Sequence, residues 1–145
     1  MDLPHTAEYA LRALAVIASR EDAAVLSAET IAKESSVPPS YLQKVLRRLV
    51  AAGILEARKG PGGGFLLAKE PKRIRLLDVL EATDTSMPDA CAFGWGKCDT
   101  KHPCPLHGTY SELKESIQQW ASRTTLEDVR KYSASRVIPL RRRAP

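Results

Sequence analysis

The sequence predicts a mainly α fold that carries one small β-hairpin. Three observations lead there. Apolar residues recur at three- and four-residue steps through most of the chain, the period of an amphipathic helix. Only one short segment departs from this, two β-like runs around a glycine-rich tip. The chain has 145 residues, 43% of them hydrophobic, enough for one compact domain with a core, with or without an extension.

The elements follow in order. Residues 6–19, "TAEYALRALAVIAS", form a first helix whose apolar face is Tyr9, Ala10, Ala13, Leu14 and Ile17. Ser27 is placed to cap a short helix, "AETIAKES", that buries Ile31 and Ala32. "SVPP" ends it, and the proline pair can start the next. In "SYLQKVLRRLVAAG" the residues Leu42, Val45, Leu46 and Leu49 form one apolar stripe, and Gly53 is the stop. Two short helices joined by a tight turn match a helix-turn-helix. "ILEARK" and "GFLLAK" then flank "GPGG", and four of the eight glycines lie between Gly60 and Gly64. A basic hairpin directly after a helix-turn-helix reads as the wing of a winged helix. "IRLLDVLEAT" is a further helix. After a cysteine-bearing loop, "PLHGTYSELKESIQQWASRT" is helical again, with Leu106, Tyr110, Leu113, Ile117 and Trp120 in a four-three-four-three rhythm. That spacing belongs to a helix packed on another along a seam; an intrachain core contact would give the same pattern. It is read as a long C-terminal dimerisation helix because a helix-turn-helix protein commonly doubles to read two half-sites. "TTLEDVRKY" adds one or two capped turns. The organisation expected is a winged helix-turn-helix over residues 1–84, a cysteine-rich loop over 85–105, the dimerisation helix with its helical turns over 106–133, and a basic, disordered tail over 134–145.

Charge is unevenly spread. Residues 33–75 hold ten basic side chains and three acids, a net +7, so the rest of a chain of net charge +5 sums to −2. A basic segment on a near-neutral remainder suggests a polyanionic partner. The outer face of the second helix of the pair offers Ser40, Tyr41, Gln43, Lys44, Arg47 and Arg48, side chains able to reach phosphates or base edges. Arg58 and Lys59 add charge at the wing, whose glycines allow close approach to a DNA backbone. A nucleotide-binding glycine loop is the rival reading, and its spacing fails: there is no GxxxxGK[ST]. Nothing suggests a substrate pocket, so an enzyme or electron carrier is not expected.

"CAFGWGKCDTKHPCPLH", residues 91–107, holds all three cysteines and two of the three histidines. The N-terminal "MDLPHTAEYA" lacks a secretory pattern and no apolar run approaches membrane-spanning length, so the chain is read as cytoplasmic. Thiols stay reduced there, and an odd number cannot close into intramolecular pairs. Cys91, Cys98 and Cys104 are separated by six and five residues, and His107 follows three after Cys104. Structural zinc favours gaps of two to four residues. The wider gaps suit a larger object, an iron–sulfur cluster, and three thiolates leave a fourth ligand to be found in His107, another residue or a partner subunit. Zinc and metal-free redox thiols are the alternatives. His102, followed by Pro103, reads as a surface residue.

Taken in order, "AEYALRALAVIA", "IAKESSVPPSYLQKVLRRLVAAGILEARKGPGGGFLLAK", "IRLLDVLEATD", the three-cysteine loop and "TLEDV" resemble the bacterial winged-helix iron–sulfur regulators that include IscR, NsrR and RirA. The wing's glycine run is the most specific of these. The resemblance implies a homodimer that binds operator DNA and ligates a [2Fe–2S] or [4Fe–4S] cluster through Cys91, Cys98 and Cys104. It implies a fourth ligand that is either His107, as in one branch, or an acidic residue near the start of the first helix of the other protomer, where Glu8 stands. A further branch pairs such a glutamate with a histidine one turn later, and here that position is Arg12. The first cysteine gap has six residues where members commonly have five. The function expected is transcriptional control, repression included, with operator affinity set by nitric oxide, iron or cluster status, or redox state.

Overall fold

The structure is a computed structural model that describes residues 3–20, 23–85, 91–93 and 95–135. Its order is α1 (His5–Ala18), α2 (Ala28–Ser35), α3 (Pro39–Ala51), β1 (Leu55–Arg58), β2 (Gly64–Leu67), a 3₁₀ turn (Pro71–Arg73), α4 (Leu76–Ala82), α5 (His107–Arg123) and α6 (Leu126–Ser135). The mainly α class with one hairpin is as expected.

Helix α1 is the hub, packed by α2, α3, α4 and α6. Its buried residues form a broad face, with Ala7, Ala10, Leu14 and Ile17 at its centre and Ala13 and Val16 widening it. The alanines are the reason, since a methyl side chain lets neighbouring backbones approach closely. In α2 the Ser27 hydroxyl accepts the Thr30 N–H at 3.1 Å, the cap expected. Ser36 then turns left-handed at φ 54° and releases the chain into Pro38 and Pro39, the latter opening α3.

Helix α3 buries Leu42, Val45, Leu46 and Leu49, the predicted stripe. It ends at Gly53, φ 71°, in a Schellman motif: the Ile54 N–H reaches the Leu49 carbonyl and the Gly53 N–H reaches that of Val50, each at 3.0 Å. The hairpin pairs Leu55 with Leu67 and Arg58 with Gly64. A Cβ on Gly63 would lie 2.3 Å from the Arg58 carbonyl oxygen, so the tip cannot take a larger residue without moving. Leu26 adds a third short rung, exchanging both backbone hydrogen bonds with Phe65 at 2.9 and 2.8 Å. The segment before α2 is thus stitched to the wing.

The C-terminal part returns to the core. Leu76 N–H donates to the Thr124 carbonyl and Leu126 N–H to that of Ile74, both at 2.8 Å. Helix α6 has ten residues, more than the one or two turns expected, and it packs on α1 and the 3₁₀ turn. Leu126 enters the main core and Val129 packs against it, one helical turn apart on one face. A smaller apolar cluster of Ala7, Leu76, Leu80 and Ala121 joins α1, α4 and α5. No helix among the described residues is long and apolar enough to cross a membrane. The basic tail expected over 134–145 lies outside the described residues from 136 onward.

Candidate functional site

Two groups of side chains stand apart from the core. The first is the outer face of α3 with the wing. Ser40, Tyr41, Gln43, Lys44 and Arg47 are all exposed, because the apolar stripe turns the opposite side of α3 inward. Proline at N1 and no acidic residue in the first turn leave the positive end of the helix dipole uncompensated. The Lys44 ammonium lies 6.0 Å from the centroid of the Tyr41 ring, and Tyr41 meets Tyr9 of α1 edge-on at 5.8 Å. The Tyr41 ring is therefore braced from α1 while half its surface is open. Arg58 and Lys59 are exposed at the end of β1, with Glu56 3.9 Å from the Arg58 Nε.

Arg48 differs. It shares this side of α3 by sequence, yet its guanidinium donates to Asp84 at 2.7 Å. Asp84 follows α4 at φ 52°, just before the expected cysteine-rich segment in sequence. This pair ties the basic helix to the loop's entry. Sequence reasoning missed it because the two residues are 36 positions apart.

The second group is the loop. All three cysteines are free and half-buried. Cys91 and Cys104 bring their sulfurs to 3.9 Å, and Cys98 Sγ lies 2.9 Å from His107 Nδ1. The backbone sets these pairs. The Cys91 N–H donates to the Gly96 carbonyl at 2.8 Å. The His107 N–H donates to the Cys104 carbonyl at 3.0 Å, which ties that cysteine to the first turn of α5. Among the described residues no three His, Cys, Asp or Glu side chains converge as ligands of a single ion. The donors are grouped two and two.

The remaining candidates fall elsewhere. His102 bonds to Asp99 at 3.0 Å out in solvent, and that hydrogen bond holds the Asp99 carboxyl below the usual carboxylate range. Glu8, in the first turn of α1, is engaged on its own helix by Arg12 at 2.6 Å and His5 at 3.5 Å. Phe93 and Trp95 stack at 4.6 Å beside the cysteines, and Trp95 is 75% exposed. On α5 only Ala121 is buried, and the predicted seam is divided: Tyr110 and Ile117 are half-buried, whereas Leu113 is 43% and Trp120 49% exposed.

Comparison with known proteins bears on these groups. A family profile described as "Rrf2: Iron-dependent Transcriptional regulator" matches residues 3–132. A protein of Aquifex aeolicus (strain VF5) named as an HTH-type transcriptional regulator is 36% identical over 140 residues, spanning 94% of this chain and 96% of the relative. The HTH-type transcriptional regulator IscR of Escherichia coli is 27% identical over 129 residues, 89% of this chain and 80% of its own. Among solved structures, the global cysteine regulator CymR of B. subtilis superposes with a TM-score of 0.76 at 20% identity, over 91% of this chain and 98% of that one. The IscR of T. potens superposes at 0.72 and 20%, over 98% and 93%. Those two share the winged-helix fold seen here, with its α3 and hairpin. With the family profile spanning all but the ends and a close-length relative above 30% identity, the chain belongs to the Rrf2 family of DNA-binding transcriptional regulators and is not an enzyme.

Proposed function

We propose that the chain is a cytoplasmic, homodimeric regulator whose operator affinity is set by a [2Fe–2S] cluster held by Cys91, Cys98, Cys104 and His107. The observation that carries this is the grouping of four donors into two pairs, Cys91 with Cys104 and Cys98 with His107. In a two-iron cluster each iron takes two protein ligands, whereas a four-iron cluster takes one ligand per iron. Zinc would draw all four donors around one point, and no three of the described donors share one. His107 is favoured over Glu8 of the other protomer, because Arg12 and His5 already hold the Glu8 carboxylate.

When bound, such a cluster supplies a centre that responds to redox state, iron supply or nitric oxide. The chain's own residues carry the response onward. His107 opens α5, so its engagement fixes that helix end relative to the loop. At the loop's other end Asp84 holds Arg48 of α3. The exposed apolar stripe of α5 supports pairing of two copies, which separates the two α3 helices by a set distance. Half-sites on DNA lie about 34–36 Å apart, so a small change in that separation changes affinity. Ser40, Tyr41, Gln43, Lys44 and Arg47 supply the major-groove and phosphate contacts, and Arg58 and Lys59 the wing's.

Anaerobic purification tests the cluster. The expected protein is red-brown, with visible absorbance and two irons and two sulfides per chain on the [2Fe–2S] reading. A colourless protein with full zinc occupancy would sink it.

A further inference from the structure

The three cysteines are not equivalent. Cys98 faces the His107 imidazole at 2.9 Å, whereas Cys91 and Cys104 face each other, sulfur to sulfur, at 3.9 Å. Both members of the second pair sit on constrained backbone. Cys91 is pinned by its N–H to Gly96, and Cys104 stands between Pro103 and Pro105 with its carbonyl bound by the His107 N–H. Both are half-buried, so a small oxidant can reach them. A disulfide has its sulfurs about 2.05 Å apart, so the pair must close by roughly 2 Å.

We propose that, in the protein without its cluster, Cys91 and Cys104 form a reversible disulfide that leaves Cys98 free, and that this disulfide blocks cluster loading. The block rests on the cluster reading above; the disulfide does not. The oxidant is a small-molecule disulfide of the oxidised-glutathione class. The Cys104 sulfur attacks one of its sulfurs, forming a mixed disulfide and expelling one thiol. The Cys91 sulfur then attacks Cys104 Sγ and expels the second. The two protons leave the cysteines and end on the two released thiols, and the two electrons lost by the protein reduce the oxidant. Two of three thiolate ligands are then consumed. Loading of the regulator thus becomes conditional on the thiol balance of its surroundings as well as on iron.

The sequence makes the pairing simple to read. Trypsin places Cys91 in a peptide of residues 76–97, Cys98 in 98–101 and Cys104 in 102–114. Cluster-free full-length protein is treated with excess oxidised glutathione, free thiols are alkylated, and the digest is analysed by mass spectrometry without reduction. Peptides 76–97 and 102–114 are expected joined, with Cys98 alkylated, and the Cys98→Ser variant should give the same joined pair. A bond that includes Cys98, a bond between chains, or three alkylated cysteines would overturn the pairing. In the second arm the oxidised protein is offered ferrous iron and sulfide anaerobically, before and after a dithiol reductant. Visible absorbance should develop only after reduction. Equal absorbance before reduction would overturn the block. If the reduced protein also fails to develop colour while the joined peptides are present, the cluster reading fails and the disulfide stands.

Discussion

Lys44 and Arg47 stand one turn apart on the exposed side of α3, and each is free to meet a phosphate because Leu42, Val45, Leu46 and Leu49 hold the opposite side in the core. Lys44→Ala and Arg47→Ala should each weaken operator binding and flatten the log–log salt dependence by about 1, the loss of one phosphate contact. An unchanged slope in both would move the contact surface elsewhere. Arg48 should behave otherwise, since Asp84 already occupies it. In the loop, His107→Ala should shift the visible spectrum of the anaerobically purified protein and Glu8→Ala should leave it as in wild type. The reverse result would assign the fourth ligand to α1. All of these residues except Asp84 were picked out by the sequence, on residue type and spacing. The pairing of the four loop donors was not, because contact between side chains nine and thirteen positions apart depends on how the loop turns.

At the scale of elements, α2 and α3 carry their own start or stop in their sequence. Ser27, the Pro38 and Pro39 pair and Gly53 do what local chemistry dictates. Helix α4 starts on an Asp78 carboxylate that accepts both the Arg75 N–H at 2.9 Å and the Arg75 guanidinium at 2.7 Å. The Arg75 hydrogen bond, more than charge attraction, holds the Asp78 carboxyl below its ordinary value of 3.8. A lowered folded-state value means that this stabilisation is fully present above about pH 4 and is lost as pH falls through the folded value. Asp78→Asn should cost about 1 kcal/mol at neutral pH, the scale of a lost cap. It should also lessen the loss of stability as pH falls below about 4, read from urea midpoints. An equal acid response in variant and wild type would assign that response to other carboxylates, Glu127 and Asp128 among them. The extent of α6 was underread. Its helical pattern is short, and its length is stabilised by Leu126 and Val129 entering a core built by other elements.

For the whole molecule the decisive feature is what the single chain leaves uncovered. Leu106, Leu113 and Trp120 lie on the exposed side of α5 and make no core of their own. Replacing Leu113 and Trp120 together by Glu should leave the chain folded, with its helical circular-dichroism signal retained, because neither side chain enters the core. It should convert a sedimenting dimer to monomer and lower operator affinity by about 100-fold or more, because two half-sites are no longer engaged at once. A variant that stays dimeric would place the interface elsewhere. The sequence by itself determined the order and type of the elements up to α5, the hairpin and the exposed basic face of α3, since each is written in neighbouring residues within one or two turns. Only the tertiary structure decided that Leu26 joins the wing, that Arg48 is held by Asp84, that α6 belongs to the core, and that the cysteines divide into two and one. Those are contacts between residues distant in the chain, and side-chain period and residue type constrain only what lies within one element.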